Sequence, residues 1–206
     1  MRRRARCNGL YGLEGQALHT VSPEHTDQHS NRGLAARSGW TPLRAFVFLA
    51  IVASLVIAVD RCTKIFFDQF SLGEDIAGPF FGLFQFTLVH NTGGAWGIFS
   101  DSTMLLAVFS VIVSVAIAVA VIVLARHSNW LLTLGGALIV AGGIGNAIDR
   151  FIQGYVVDFI EFSFVRFPVF NVADIGVTCG FVILAIAGVF FWKHEDAEAA
   201  KESERQ

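Results

Sequence analysis

Residues 45–59 read AFVFLAIVASLVIAV and contain no charged side chain. With its flanks, this run predicts a first membrane span over residues 43–65, close to the roughly 20 apolar residues that a helix needs to cross a bilayer. Stretches of the same character occupy residues 103–124, 130–148 and 175–192. Because open strands cannot satisfy their backbone in lipid, all four stretches are predicted to be transmembrane helices.

The overall composition favours an integral membrane protein. Of the 206 residues, 54% are hydrophobic, and the mean hydropathy is +0.58. The net charge of −2 says little about partners, and no basic stripe with interleaved aromatics indicates a nucleic-acid partner. Neither the histidines nor the three cysteines (Cys7, Cys62, Cys179) have metal-ligand spacing, so no metal or cofactor is predicted.

Positive charges predict the orientation in the membrane. Seven arginines precede the uncharged run at residues 45–59, whereas residues 66–102 contain neither lysine nor arginine. The positive-inside rule therefore predicts cytoplasmic termini, with the outer segment 66–102 and residues 149–174 on the opposite side. Residues 1–42 are predicted to be a disordered cytoplasmic extension, 43–192 the four-helix membrane domain, and 193–206 a charged cytoplasmic tail.

The outer segment carries a strand pattern. Phe84, Phe86 and Leu88 alternate with Gln85 and Thr87, which is the period of two of a β-strand. We expect a small sheet on the membrane surface beside the site. Its aromatic side chains are expected to rest on acyl chains: Phe80, Phe81, Phe84 and Trp96.

Two aspartates near the predicted spans are the candidate catalytic groups. Asp158 lies in VVDF (156–159) and Asp174 in FNVAD (170–174). Carboxylates near a bilayer are costly and often functional. A close pair holds one proton, so one member can take a proton from water while the other donates to a scissile carbonyl. The alternative is that each caps a helix, with Asp174 as the N-cap of the fourth span, although the apolar neighbours of Asp158 disfavour this.

Other polar motifs have two interpretations each. In GGIGNAIDR (142–150), Asn146 and Arg150 are expected to brace the catalytic end or the substrate, or else Asp149 and Arg150 merely snorkel to the interface. Asp60 and Lys64 have the i, i+4 spacing of a helical ion pair, either supporting the outer segment or forming an interfacial charge cluster. Asn91-Thr92-Gly93-Gly94 reads as a turn whose Asn91 approaches an extended peptide.

Taken in order, these motifs resemble those of lipoprotein signal peptidase, the type II signal peptidase of bacteria. The resemblance covers about residues 43–192. Five elements carry it: Asp60-Arg61-Cys62-Thr63-Lys64, Asn91-Thr92-Gly93-Gly94-Ala95-Trp96, Gly145-Asn146-Ala147-Ile148-Asp149-Arg150, Val156-Val157-Asp158-Phe159 and Phe170-Asn171-Val172-Ala173-Asp174. Arg61-Cys62 and Trp96 depart from the commoner residues of that family, and the long N-terminal extension is unusual in it.

The resemblance implies an all-α membrane protein with four transmembrane helices and a small extracytoplasmic β-sheet platform, placed in the bacterial inner membrane with its active site at the outer face. It implies an aspartic endopeptidase without a cofactor, with Asp158 and Asp174 as the catalytic dyad. The implied partners are diacylglyceryl-modified prolipoproteins, membrane lipids and globomycin-like inhibitors. The supporting or substrate-binding residues would be Asp60, Lys64, Asn91, Gly93, Asn146, Asp149, Arg150 and Asn171.

A small proton-coupled transporter is the competing function, because membrane aspartates also serve proton relays. Carriers often contain broken helices in an inverted repeat, and no internal repeat is evident in this sequence. A scaffolding membrane protein would leave the clustered polar motifs unexplained.

Overall fold

The computed structural model describes residues 41–94, 102–127 and 129–203, and in this part four helices are long and apolar enough to cross a membrane. The helices are α1 (Pro42–Phe67), α2 (Thr103–Val123), α3 (Trp130–Gln153) and α4 (Val172–Ser203), with the apolar span of α4 at Val172–Val189. A 3₁₀ turn, Leu124–His127, follows α2. The four predicted spans are thereby confirmed. The predicted disordered extension lies outside the described residues except at its end, where Thr41 caps α1 and Pro42 begins it.

The helix ends differ from the sequence-based prediction at two places that contain candidate site residues. The third span was predicted to stop at residue 148, but α3 continues to Gln153 and so contains Asp149 and Arg150. It stops at Gly154, whose φ of 81° places it in the left-handed region that glycine adopts freely. The fourth helix begins three residues before the predicted span, at Val172, so Asp174 lies inside its first turn.

The buried centre of the bundle is α3, which packs against each of the other three helices. Glycines allow the closest approach, as is common in membrane helix pairs. A Cβ at Gly142 would overlap the carbonyl oxygen of Ala173 and lie 2.6 Å from Val177 Cγ2. At a second contact between α3 and α4, a Cβ at Gly180 would lie 2.6 Å from the carbonyl oxygen of Gly135. The α3–α4 contact thus requires glycine at these positions, and it places the first turn of α4 directly on α3.

A three-stranded antiparallel sheet covers one end of the bundle. Its strands are β1 (Asp75–Phe80), β2 (Phe84–Asn91) and β3 (Val156–Phe162), in the order β1-β2-β3. The predicted strand and small sheet are confirmed, but the third strand was not predicted. It pairs Asp158 with Val89 of β2. The Phe67 ring at the end of α1 stacks on Phe159 with centroids 4.1 Å apart, which fastens the sheet to the bundle.

Gly142→Ala is expected to destabilise the protein by about 1–3 kcal/mol, because the added methyl overpacks the α3–α4 contact. Thermal unfolding in detergent micelles measures the effect. Gly188→Ala, also on α4, is the matched control, since a Cβ there meets nothing within 4 Å. Equal unfolding temperatures for the two variants would contradict the packing argument.

Candidate active site

Asp158 and Asp174 open onto one cavity of about 460 Å³. Asp158 comes from the middle of β3 and Asp174 from the first turn of α4. Asn91, Asn146 and Arg150 line the same cavity, whose remaining wall is largely apolar and runs along α4. Two carboxyl groups from successive elements, a strand and a helix, therefore face a shared space.

Two asparagines connect the carboxyl groups. Asn171 Nδ2 donates to Asp158 Oδ1 at 2.6 Å and to Asn146 Oδ1 at 3.1 Å. Asn146 Nδ2 in turn donates to Asp174 Oδ1 at 2.8 Å. This chain of hydrogen bonds fixes the position of one carboxyl relative to the other. Asn146, predicted to brace the catalytic end or the substrate, thus lies in direct contact with Asp174.

Asn171, rather than Asp174, caps α4. The amide of Asp174 donates to Asn171 Oδ1 at 3.0 Å, and the amide of Asn171 donates to Asp174 Oδ2 at 3.1 Å. This reciprocal arrangement is a capping box, with Asp174 in the position where a negative charge suits the helix dipole. The alternative in which Asp174 is itself the N-cap is wrong. Asp158 caps no helix either, because it lies within a strand.

The Asp158 carboxyl has a strongly altered acidity. Only 2% of the residue is exposed. Burial, together with the charge of nearby Asp174, raises the pKa of Asp158 to about 7. Hydrogen bonds oppose this shift: Asn91 Nδ2 donates to Asp158 Oδ2 at 2.9 Å, and Asn171 donates to the other oxygen. A carboxyl with a pKa near neutrality is suited to proton transfer at physiological pH.

Lys64 occupies the centre of a buried ion cluster. Its Nζ lies 2.9 Å from Asp60 Oδ2 and 2.9 Å from Asp149 Oδ2, which makes an ion pair with each carboxylate. The contact with Asp60 Oδ2 does not have the geometry of a hydrogen bond. It also donates to Asn146 Oδ1 at 2.9 Å. The predicted Asp60–Lys64 ion pair is confirmed. The interfacial alternative is wrong, because both side chains are at most 1% exposed.

Asp60 and Asp149 extend this cluster to the backbone beside each candidate catalytic group. Asp60 Oδ1 accepts from the amide of Ala173, next to Asp174, at 2.9 Å. Asp149 Oδ2 accepts from the amide of Val157, next to Asp158, at 3.4 Å. Asp149 Oδ1 also pairs with Arg61. Asp149 is fully buried, which contradicts the alternative that it snorkels.

Arg150 positions the turn that follows β2. Its guanidinium donates to the carbonyl oxygen of Gly93 at 2.9 Å, and the amide of Gly93 donates to Asn91 Oδ1 at 3.0 Å. Arg150 is 8% exposed and lines the cavity, so it does not snorkel. Its Nε has no hydrogen-bond partner among the described residues. The predicted turn at Asn91–Gly94 is thus held against α3, while Asn91 keeps its amide on Asp158.

The charges of the site balance when the two candidate catalytic carboxyls share one proton. Four carboxyl groups meet three cations, which are Arg61, Lys64 and Arg150. Full ionisation would leave one net negative charge in a poorly solvated place, and a single proton removes it. Within the described part of the chain, no three His, Cys, Asp or Glu side chains are placed to hold a metal ion. With one carboxyl ionised and the other protonated, the pair can support acid–base hydrolysis.

All eight supporting residues predicted from the sequence lie in this network. In the sequence, Arg61 was noted only because Arg61-Cys62 differs from the residues that are commoner in the family at that motif. No sequence signal shows that Arg61 faces Asp149, because the contact depends on how α1 is rotated against α3. The backbone amides of Val157 and Ala173 were also missed, since they are recruited by packing rather than by side-chain identity.

Lys64→Met is expected to lower the free energy of unfolding by about 3–5 kcal/mol, because it leaves Asp60 and Asp149 buried without their shared cation. Chemical unfolding in mixed micelles measures the change. The double variant Asp60→Asn with Lys64→Met removes one of the stranded charges and should recover part of the loss. A double variant no more stable than Lys64→Met alone would contradict this account of the cluster.

Comparison with known proteins identifies the family. A family model described as Signal peptidase (SPase) II matches residues 52–190. A lipoprotein signal peptidase of Gloeobacter violaceus is 40% identical over 138 residues, which are 66% of this chain and 78% of that protein. The enzyme of the same name from Enterococcus faecalis is 36% identical over 165 residues, covering 77% of this chain and 95% of the relative.

Solved structures agree with the sequence relatives. A bacterial membrane enzyme solved by the in meso method at 2.3 Å resolution superposes with a TM-score of 0.63 and 29% identity, covering 68% of this chain and 87% of that one. Another solved at 1.9 Å has a TM-score of 0.61 and 29% identity, with 68% and 90% coverage. Fold, motif order and sequence similarity together place this chain in the signal peptidase II family of membrane peptidases.

Proposed function

We propose that this protein is an aspartic endopeptidase that removes signal peptides from diacylglyceryl-modified prolipoproteins, with Asp158 and Asp174 as its catalytic dyad. Cleavage falls on the N-terminal side of the lipid-modified cysteine. One observation carries the proposal: both carboxyls open onto the same cavity and are linked through Asn171 and Asn146. The names of the relatives, lipoprotein signal peptidases, support the substrate class.

The reaction needs one ionised and one protonated carboxyl. Water lies between Asp158 and Asp174 and attacks the scissile carbonyl carbon. The ionised carboxylate takes a proton from that water, and the protonated carboxyl donates to the carbonyl oxygen. Collapse of the tetrahedral intermediate breaks the C–N bond, and the leaving nitrogen takes a proton from the dyad. The products are a signal peptide with a free carboxylate and a lipid-bearing cysteine with a free amino group.

The surroundings suit a substrate held in a membrane. The cavity continues from the carboxyls along α4, past the apolar side chains of Ile175 and Val177. A signal helix enters sideways between the spans, and its lipid stays in the outer leaflet. The proposed location is the bacterial inner membrane, with cytoplasmic termini and the dyad at the outer face, and the arginine-rich start of the sequence supports this orientation. Globomycin-like cyclic peptides would compete for the same cavity.

The carrier hypothesis is not supported, since the matching family and the named relatives are peptidases.

In the proposed enzyme, the remaining polar residues position the dyad and the substrate. Asn91 and Asn171 hold Asp158, while Asn146 holds Asp174. The Lys64 cluster fixes the backbone beside both aspartates, and Arg150 positions Gly93 near the cavity.

Asp158→Asn and Asp174→Asn are each expected to lower the rate of prolipoprotein cleavage by at least about 100-fold, because each removes a proton-transfer group. The purified protein is incubated with a diacylglyceryl-modified substrate in detergent, and cleavage is read as a mobility shift on a gel.

Asp149→Asn serves as the comparison for these variants, since Asp149 faces Lys64 and Arg61 instead of the cavity. It should lose stability and retain measurable cleavage. Full activity of Asp158→Asn would show that the catalytic residues are assigned wrongly. Absence of cleavage by a folded wild-type protein would refute the proposed substrate.

The pH profile should report the dyad directly. Asp158 has a pKa of about 7, so raising the pH through that value removes the proton that the pair shares. We expect kcat/KM to fall on the alkaline side of about pH 7. Steady-state cleavage rates across a pH series measure this descending limb.

Asn91→Ala should move the descending limb to higher pH, because the lost hydrogen bond favoured the ionised form of Asp158. Asn129→Ala is the matched control: it removes the N-cap of α3, costs about 1 kcal/mol of stability and should leave the limb in place. A limb unmoved by Asn91→Ala would mean that another group controls the pH dependence.

A further inference from the structure

Two loop tips at the far end of the sheet expose an unusual number of large apolar side chains. We call this surface the aromatic tip, and it comprises residues from the β1–β2 turn and from the segment after β3. Its members and their exposed fractions are Phe81 (96%), Leu83 (54%), Phe164 (66%), Val165 (48%) and Phe167 (45%). A cluster of this kind facing water is unfavourable and usually marks an interaction surface.

The two loops form one surface because they are joined. The amide of Ser163 donates to the carbonyl oxygen of Leu83 at 3.0 Å. Directly behind this contact, Phe84 of β2 pairs with Phe162 of β3. The exposed side chains on either side of the junction are therefore held together by the sheet itself.

Phe81 occupies a backbone position that phenylalanine seldom adopts. The amide of Leu83 donates to the carbonyl oxygen of Phe80 at 2.9 Å, which closes a tight turn. The two central residues, Phe81 and Gly82, have φ values of 54° and 70°, as in a type I′ turn, where Asn, Asp and Gly are preferred. A bulky aromatic held in a strained conformation and almost fully exposed indicates a use for its side chain.

The aromatic tip continues the lipid-facing surface of α4. The Phe167 ring lies 5.7 Å from Phe162 and 6.0 Å from Phe170, centroid to centroid. Phe170 directly precedes Asn171, the N-cap of α4. Exposed apolar side chains then follow along the membrane span of α4: Phe181 (56%), Val182 (51%), Ile186 (48%) and Val189 (57%).

A cation lies within the aromatic tip. Arg166 stands between Val165 and Phe167, is exposed, and makes no hydrogen bond or ion pair with the residues that the structure describes. A free guanidinium beside aromatic side chains matches the headgroup region of a bilayer, where phosphates meet the start of the acyl chains.

We propose that the aromatic tip inserts into the outer leaflet and binds phospholipid, with Phe81 and Phe164 among the upper acyl chains and Arg166 at the phosphates. This proposal rests on the four membrane spans and does not require the proposed peptidase activity. Phe162, at its base, lies on the same strand as Asp158, about 13 Å away at about 3.3 Å per residue. Lipid contact at the tip would therefore set the depth of the dyad relative to the membrane surface.

Tryptophan fluorescence in proteoliposomes tests the proposal. Phe81→Trp keeps an aromatic ring at the strained turn, and its added emission is measured against wild type, which has four tryptophans. Quenching is compared between phosphatidylcholine brominated near the carbonyl end of its acyl chains and the aqueous quencher acrylamide. Phe109→Trp, at an exposed site within α2, marks full lipid contact, and Ala77→Trp marks an exposed sheet position outside the tip.

The added emission of Phe81→Trp should be quenched by the brominated lipid at least about twofold more than that of Ala77→Trp, and it should be shielded from acrylamide. Quenching by acrylamide without quenching by lipid would overturn the proposal in favour of a water-exposed tip. Shielding from both quenchers would overturn it in favour of a protein cover, such as a second copy of this chain. The measurement requires no cleavage, so failure of the proposed function would be seen separately.

Discussion

The buried contact of Lys64 with Asp60 and Asp149 is the interaction on which the rest of the site depends. Asp60 and Lys64 belong to α1 and Asp149 to α3, so the cation ties two helices together. The same two carboxylates accept backbone amides from Ala173 at the start of α4 and Val157 in β3. Four elements are thereby fixed by charges that water does not reach. Removing one partner of a buried ion pair costs far more than the pair contributes, which makes the cluster an all-or-none unit.

Placing four carboxyl groups in one poorly solvated region restricts their protonation. Lys64, Arg61 and Arg150 neutralise three of them, and the fourth charge is removed by a single proton on the pair formed by Asp158 and Asp174. Fixed amides from Asn91, Asn146 and Asn171 then orient the two carboxyls without adding charge. Electrostatic balance and hydrogen-bond geometry therefore favour the same state, in which one carboxyl is ionised and its partner is protonated. The pKa of about 7 for Asp158 fits this balance.

Backbone approach is the second requirement, and glycine provides it. The space beside Gly142 is filled by the carbonyl of Ala173, and a Cβ at Gly145 would lie 2.9 Å from Asp60 Oδ2. Without these glycines, α4 could not begin on the face of α3, and Asp60 could not reach the amide next to Asp174. Close helix packing and the placement of a functional group are thus consequences of the same small residues. The sheet completes the site from the other side by supplying Asp158 and Asn91 from paired strands.

The sequence by itself determined the four spans and the strand at residues 84–91, and it named the two aspartates and the eight supporting residues that the structure brings into one network. Apolar length and strand alternation are local properties, and charged residues in membrane segments are costly enough to stand out. Only the tertiary structure decided the partners: Asn171 as the cap of α4, Asp149 on Val157, Arg150 on Gly93 and β3 as the third strand. The Asn171 cap and the bond from Val157 to Asp149 are short in sequence, whereas Arg150 reaches Gly93 and β3 pairs with β2 across long stretches of chain. The long-range contacts depend on the rotation and approach of helices around α3, which no local pattern records.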